Sequence, residues 1–338
     1  FPNFSQNHAE TLGLATRGAG LHPGKGLPLG RAQLDKGLQH TSGRECLPLP
    51  ICIGQLLEIH ERRRPDEIAG FWMLRGGAPC VVDAYGGYLE RFIAEQRMPY
   101  LFLFDPKPET DYLGFDKQTV ARYLLPAIIM ADIMVEIDHV LRVVGGPGSL
   151  EQFQDAWRRL AEASPTIDAF NDALPAFVER LAQLPRSRDP LACPRVVVIG
   201  DFFTRFSSFF MDGVRDLYAQ RGIILKPADL VEWFLYLAYN PVAGTAANWG
   251  MKPGGLALAK ACTRVLQPEG KEYLEQWISF QAQQHFEEHY RGLFRKTGLL
   301  VTKPNAFAAI FEKAAEHVSP AIWGELLPTV GRGLEAAH

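Results

Sequence analysis

Two periods of apolar and polar residues run through this chain, and the switches between them mark out its elements. In residues 47–64 the apolar side chains Ile51, Leu56, Leu57 and Ile59 recur at helical spacing. Pro48 and Pro50 fall in the first turn of that helix, where a missing N–H costs little because it would have no intrahelical partner. An apolar run at 67–74 predicts a buried strand, a Gly/Pro turn fills 75–80, and 81–97 returns to the helical period. Residues 100–104 predict the next strand, stopped by Asp105-Pro106. Strands separated by helices with short connections predict a parallel α/β sheet.

The middle of the chain reads as helical. Residues 117–144 carry a long apolar face that stops at Gly145-Gly146-Pro147, and 150–163 and 166–184 are amphipathic, followed by a polar linker at 185–190. A second α/β unit opens at Arg195, with strands at 196–200 and 223–226 and helices over 209–221 and 228–239. Residues 240–255, rich in Gly, Ala and Asn, read as a loop long enough to act as a lid. Helices are expected over 255–266, 271–296, 306–317 and 322–337, and a single helix over 8–18 in the Gly/Pro-rich first 43 residues. The expected organisation is a first lobe over 1–145, a helical insertion and linker over 146–190, and a second lobe over 191–338.

Composition narrows the function classes. A chain of 338 residues with 47% hydrophobic content can bury a core, which excludes intrinsic disorder. A net charge of -3 gives no electrostatic reason to expect nucleic acid or an anionic membrane as partner. The most apolar stretch, 124–135, is interrupted by Asp132 and falls short of a bilayer span. The chain opens on Phe1 with no signal-like region behind it, so it is expected to be trimmed or part of a longer polypeptide. Cys46, Cys52, Cys80, Cys193 and Cys262 follow no regular spacing; an odd, scattered set suits a reducing compartment, and a cytoplasmic location is expected.

Candidate chemistry centres on Cys46 and Cys80, each of which precedes or opens a predicted helix. A helix N-terminus favours thiolate, the form that ligates metal. Both would sit at carboxyl ends of strands, where sites in open α/β sheets gather. Two buried, inert thiols are the alternative. His285-Phe-Glu-Glu-His289 fits a two-histidine zinc pattern with Glu288 as base, but the dense polar residues around it make a solvated helix face the better reading, and no third ligand follows at useful spacing. Gly200-Asp-Phe-Phe-Thr-Arg205 places an acid and an arginine after a buried strand. There Arg205 could hold an anionic ligand through its planar fork or pair with Asp201 to orient the loop. No Walker loop or nucleophile elbow is present in the sequence.

Ser42-Gly-Arg-Glu-Cys46-Leu-Pro-Leu, Gly54-Gln-Leu-Leu and Gly77-Ala-Pro-Cys80 together resemble the 2-hydroxyacyl-CoA dehydratase/benzoyl-CoA reductase family. The similarity is to the branch that accompanies, or is fused to, ATP-dependent activases. Pro194-Arg-Val-Val-Val-Ile-Gly-Asp201 with Arg205, Leu230-Val-Glu-Trp-Phe-Leu-Tyr236, and Gly324-Glu325 with Thr329-Val-Gly331 extend it over most of the chain. The resemblance implies an α/β fold of two Rossmann-like lobes with parallel sheets and helical insertions, the second lobe cut short at its C-terminal end. It implies an iron–sulfur cluster of the 4Fe–4S type, with Cys46 and Cys80 matching two ligand positions. The family's later cysteine block has no counterpart in this sequence. The implied function is single-electron transfer at low potential in a dehydratase- or reductase-type system acting on acyl-CoA or a related substrate. An activase partner would hydrolyse the ATP, in a homo- or hetero-oligomer, and Arg205 would tune substrate or cluster electrostatics. The opposing expectation is a non-catalytic docking or structural subunit of the same fold without a competent cluster.

Overall fold

Short apolar strands and amphipathic helices sort into two compact units in the computed structural model, one formed by residues 1–127, 155–173 and 201–217, the other by 128–154, 174–200 and 218–338. The structure describes residues 5–18, 20–24, 29–73, 81–104, 120–302, 307–320, 322 and 324–337.

In the first unit, α1 (Gln6–Gly18), α2 (Arg31–Leu38) and α3 (Pro48–Arg62) precede β1 (Ala69–Trp72), α4 (Val81–Glu95) and β2 (Leu101–Phe104). The strands pair in parallel, Ala69 opposite Leu101 and Trp72 opposite Phe104, with α4 as the crossover. Leu49, Cys52, Ile53 and Leu56 of α3, and Tyr85, Leu89 and Phe92 of α4, recur at three- and four-residue steps. They therefore face Phe71, Leu101 and Leu103 of the strands in one core. Helix α2 lies in the stretch expected to be irregular. It docks on α3 through glycines: a Cβ on Gly37 would collide with the Pro50 carbonyl, and one on Gly54 with the Gln33 carbonyl.

A π turn at Val120–Leu124 leads into α5 (Leu125–Val144), followed by α6 (Ser149–Ala163) and α7 (Ile167–Ala182). Asp201 caps the short α8 (Phe202–Phe206), accepting the Thr204 amide at 2.9 Å. Then comes α9 (Ser208–Ala219). Helices α5, α6, α7 and α9 contribute residues to both units.

The second unit holds the parallel pair β3 (Arg195–Val198) and β4 (Ile224–Pro227), with Arg195 opposite Ile224. Helices α10 (Val231–Asn248), α11 (Gly255–Thr263), α12 (Pro268–Arg295), α13 (Phe307–Ala315) and α14 (Leu326–Ala336) complete it. Tyr236, Tyr239, Phe280, Phe307 and Phe311 form its aromatic core. Helix α5 is apolar nearly all round and buried along most of its length, as such a helix must be. On it Asp132, Glu136 and His139, at i, i+4 and i+7, form one buried polar stripe, and the buried Asp138 pairs with Arg142 at 2.6 Å. Asp132 accepts the Leu230 and Val231 amides at 2.9 Å each, capping α10, while His139 Nδ1 lies 2.6 Å from the Leu225 carbonyl.

The loop or lid expected at 240–255 is corrected: α10 runs through Pro241 to Asn248. Its Val242 and Ala246 pack against Ala257, Ala261 and Tyr273, and burying this small-residue face holds the segment helical despite its composition. The protein is mostly helical, with two parallel strand pairs among the described residues, a pattern within the α/β class. No helix among the described residues is long and apolar enough to cross a membrane.

Candidate functional site

Cys46 lies on the connection from α2 to α3, one residue before Leu47, which caps α3, and its thiol is exposed. Three sets of contacts fix this connection. The Glu45 carboxylate accepts the Ser42 amide at 3.0 and 3.1 Å, the Ser42 hydroxyl at 2.9 Å and the Arg44 amide at 3.1 Å. The Cys46 carbonyl accepts the Leu49 amide at 3.0 Å and the Tyr85 hydroxyl at 3.4 Å. The Tyr88 hydroxyl donates to the His40 carbonyl at 3.1 Å, and the Phe92 ring meets the His40 ring edge-on, with centroids 5.1 Å apart.

Tyr85, Tyr88 and Phe92 stand at i, i+3 and i+7 and so form one stripe of α4. The loop carrying Cys46 is therefore strapped along the helix whose first residue, Val81, directly follows Cys80. Cys80 itself, with residues 74–79, lies outside the described residues.

The Ser42 amide first, and then the other local donors, hold the Glu45 carboxyl down at about 2. Because this folded-state value is depressed, the clasp is complete above the ordinary carboxyl value of 4.5 and is lost as pH falls through about 2. At neutral pH, Glu45→Ala is expected to abolish the protection of the Ser42 and Arg44 amides from hydrogen exchange while leaving that of the α3 interior intact. Amide-resolved exchange measures this directly.

The other sequence candidates separate from this loop in character. Arg205 is buried, its guanidinium 5.2 Å from the Phe206 ring centre, and Asp201 serves as the α8 cap. Cys52 is wholly buried in the first core, and burial pushes its thiol up to about 12, which makes it inert. Cys193 is buried with Sγ 3.6 Å from the Asp189 carbonyl, and Cys262 is exposed on α11. His285, Glu288 and His289 all face solvent on α12. Among the described residues no group of three or more His, Cys, Asp or Glu is arranged to hold a metal ion.

Sequence reasoning did not single out Glu45, Tyr85 or Tyr88. The Ser42-x-x-Glu45 spacing, which allows the acid to reach back to a backbone amide, was the available signal for the first. No known family model matches this chain, and neither a curated protein nor a solved structure is significantly similar to it.

Proposed function

We propose that this chain is an electron-transfer component of the 2-hydroxyacyl-CoA dehydratase/benzoyl-CoA reductase type, built on two Rossmann-like lobes, with Cys46 and Cys80 as thiolate ligands of an iron–sulfur cluster. One observation carries the reading: the Tyr85–Tyr88–Phe92 stripe straps the Cys46 loop along the helix that Cys80 precedes. On this reading the strap would bring the Cys46 loop toward the helix start that follows Cys80, 34 positions later in the sequence.

The donor chemistry fits one edge of such a cluster. Two thiolates are half of a four-cysteine set, and further ligands would have to fill the remaining positions. When bound, the cluster supplies single-electron transfer at low potential. The chain's own residues position the ligands: Glu45 fixes the turn before Cys46, Tyr85 holds the Cys46 carbonyl, and Tyr88 anchors the loop at His40. The exposed thiol of Cys46 leaves that edge open to an ATP-dependent activase partner, which hydrolyses the nucleotide.

The test is anaerobic reconstitution with ferrous iron and sulfide in excess 2-mercaptoethanol, whose thiolates can fill the remaining positions. Bound iron and acid-labile sulfide are expected for the unmodified chain and for Cys262→Ala, and at least a tenfold loss in Cys46→Ala and Cys80→Ala. Iron that ignores both substitutions, or none in the unmodified chain, would overturn the reading and leave a docking subunit of the same fold.

A further inference from the structure

In the second unit, where β4 ends and α10 begins, seven ionisable side chains are joined by ion pairs into one buried network, beside the buried Asp132 that caps α10. Arg291 of α12 donates to three carboxylates at once: Nη1 to Glu136 at 3.0 Å, Nη2 to Asp229 at 2.5 Å and Nε to Glu287 at 3.1 Å. Lys226, on β4, bonds Asp229 and lies 3.7 Å from Glu136. Glu136, on α5, also accepts the Val301 and Thr302 amides at 2.8 Å each. On the α14 side, Arg332 donates to Glu232 of α10 at 2.7 Å and also bonds the partly exposed Glu335. All seven enclosed side chains are nine-tenths or more buried.

Four of the seven are carboxyls (Glu136, Asp229, Glu232 and Glu287) and three are cations (Lys226, Arg291 and Arg332). An enclosed, unbalanced charge in a water-poor interior is costly, and such a site lowers that cost by binding a proton. Geometry selects where the proton goes. Glu136 has two backbone amides and two cations, Asp229 has the shortest Arg291 bond as well as Lys226, and Glu232 has Arg332. Glu287 takes the longest of the three Arg291 bonds and faces the negative charges of Asp229 and Glu232.

We propose that this cluster is a proton-operated latch: Glu287 carries the proton that balances it, and loss of that proton loosens α12 from the turn after β4. Burial pushes the Glu287 carboxyl up to about 7, against which the pull of Arg291 is insufficient. Burial also disfavours ionised Asp229, but Lys226 and Arg291 outweigh it and hold that group at about 2. An acid whose folded-state value is raised stabilises the fold in full below its unfolded value of 4.5 and loses that contribution as pH rises through about 7. The latch is thus closed in mild acid and released above neutrality. It is independent of the thiol site.

The experiment compares unmodified protein with Glu287→Gln, a neutral isostere of the protonated acid. Between about pH 5 and pH 8 the folded-to-unfolded ratio of the unmodified second unit is expected to fall by about 70-fold more than that of the variant. Amide exchange around 287–291 and at Val301 and Thr302 rises over the same range only in the unmodified protein. Infrared spectroscopy is expected to show a buried protonated carboxyl at pH 5 that disappears by about pH 8.5 and is missing from the variant. Parallel pH profiles, or a carboxyl band that survives in Glu287→Gln, would overturn the latch. Should the variant fail to fold, the unmodified protein decides alone: absence of a buried carboxyl band that vanishes over this range overturns the proposal.

Discussion

Arg291→Ala is expected to cost the second unit about 3–5 kcal/mol, because it removes the cation shared by the buried Glu136, Asp229 and Glu287 and leaves Lys226 to face the first two. A small domain has only about 5–15 kcal/mol in total. Arg291→Lys keeps the charge but not the fork that reaches three carboxylates on separate elements, so it recovers only part of the loss. The exposed pair Lys271–Glu275 of α12 is the control, and Lys271→Ala is expected to leave the unfolding midpoint nearly unchanged. Urea unfolding followed by fluorescence of Trp233, Trp249 and Trp277, all in the second unit, measures each difference.

The second large effect lies where α2 meets α3. Gly54→Ala would thrust a Cβ into the Gln33 carbonyl, and Gly37→Ala one into the Pro50 carbonyl. A backbone oxygen cannot rotate away as a side chain can, so the helices must separate. The expected cost is about 3 kcal/mol for either substitution, at the upper end for overpacking. The connection between these helices carries Cys46, so both variants are also expected to accelerate alkylation of that thiol by iodoacetamide. Gly87→Ala, at a helical position with open space around it, provides the contrast and is expected to stabilise α4 by up to about 1 kcal/mol. Denaturant midpoints and the rate of Cys46 alkylation check both halves.

Most element positions were legible because local period decides them. The helix at 47–64 and the strands at 67–74 and 100–104 are found within a few residues of expectation, as Pro48–Arg62, Ala69–Trp72 and Leu101–Phe104. Helix α2 was not legible, since eight residues between glycine-rich neighbours carry too weak a period, and its place depends on Gly54 far along the chain. The helical course of 240–248 was hidden for a related reason: its Gly, Ala and Pro content suggests a turn, while its stability comes from partners on α11 and α12. The charge cluster joins residues such as Glu136 and Arg291 that lie 155 positions apart. Its one local trace was Asp132, a turn before Glu136 on the same helix, read only as an interruption of an apolar stretch. At the thiol site the cysteines were visible, but the grip of Tyr85 and Tyr88 on the preceding loop needed the fold.

The central claim, that Cys46 and Cys80 meet at one site, is tested most directly by bridging them without any metal. A trivalent arsenical such as phenylarsine oxide binds two thiols only when both reach one arsenic atom. The account predicts one arsenic per chain, protection of Cys46 and Cys80 together from alkylation, and loss of tight binding in either alanine variant. Cys46 that alkylates at its full rate in the presence of the arsenical would contradict it.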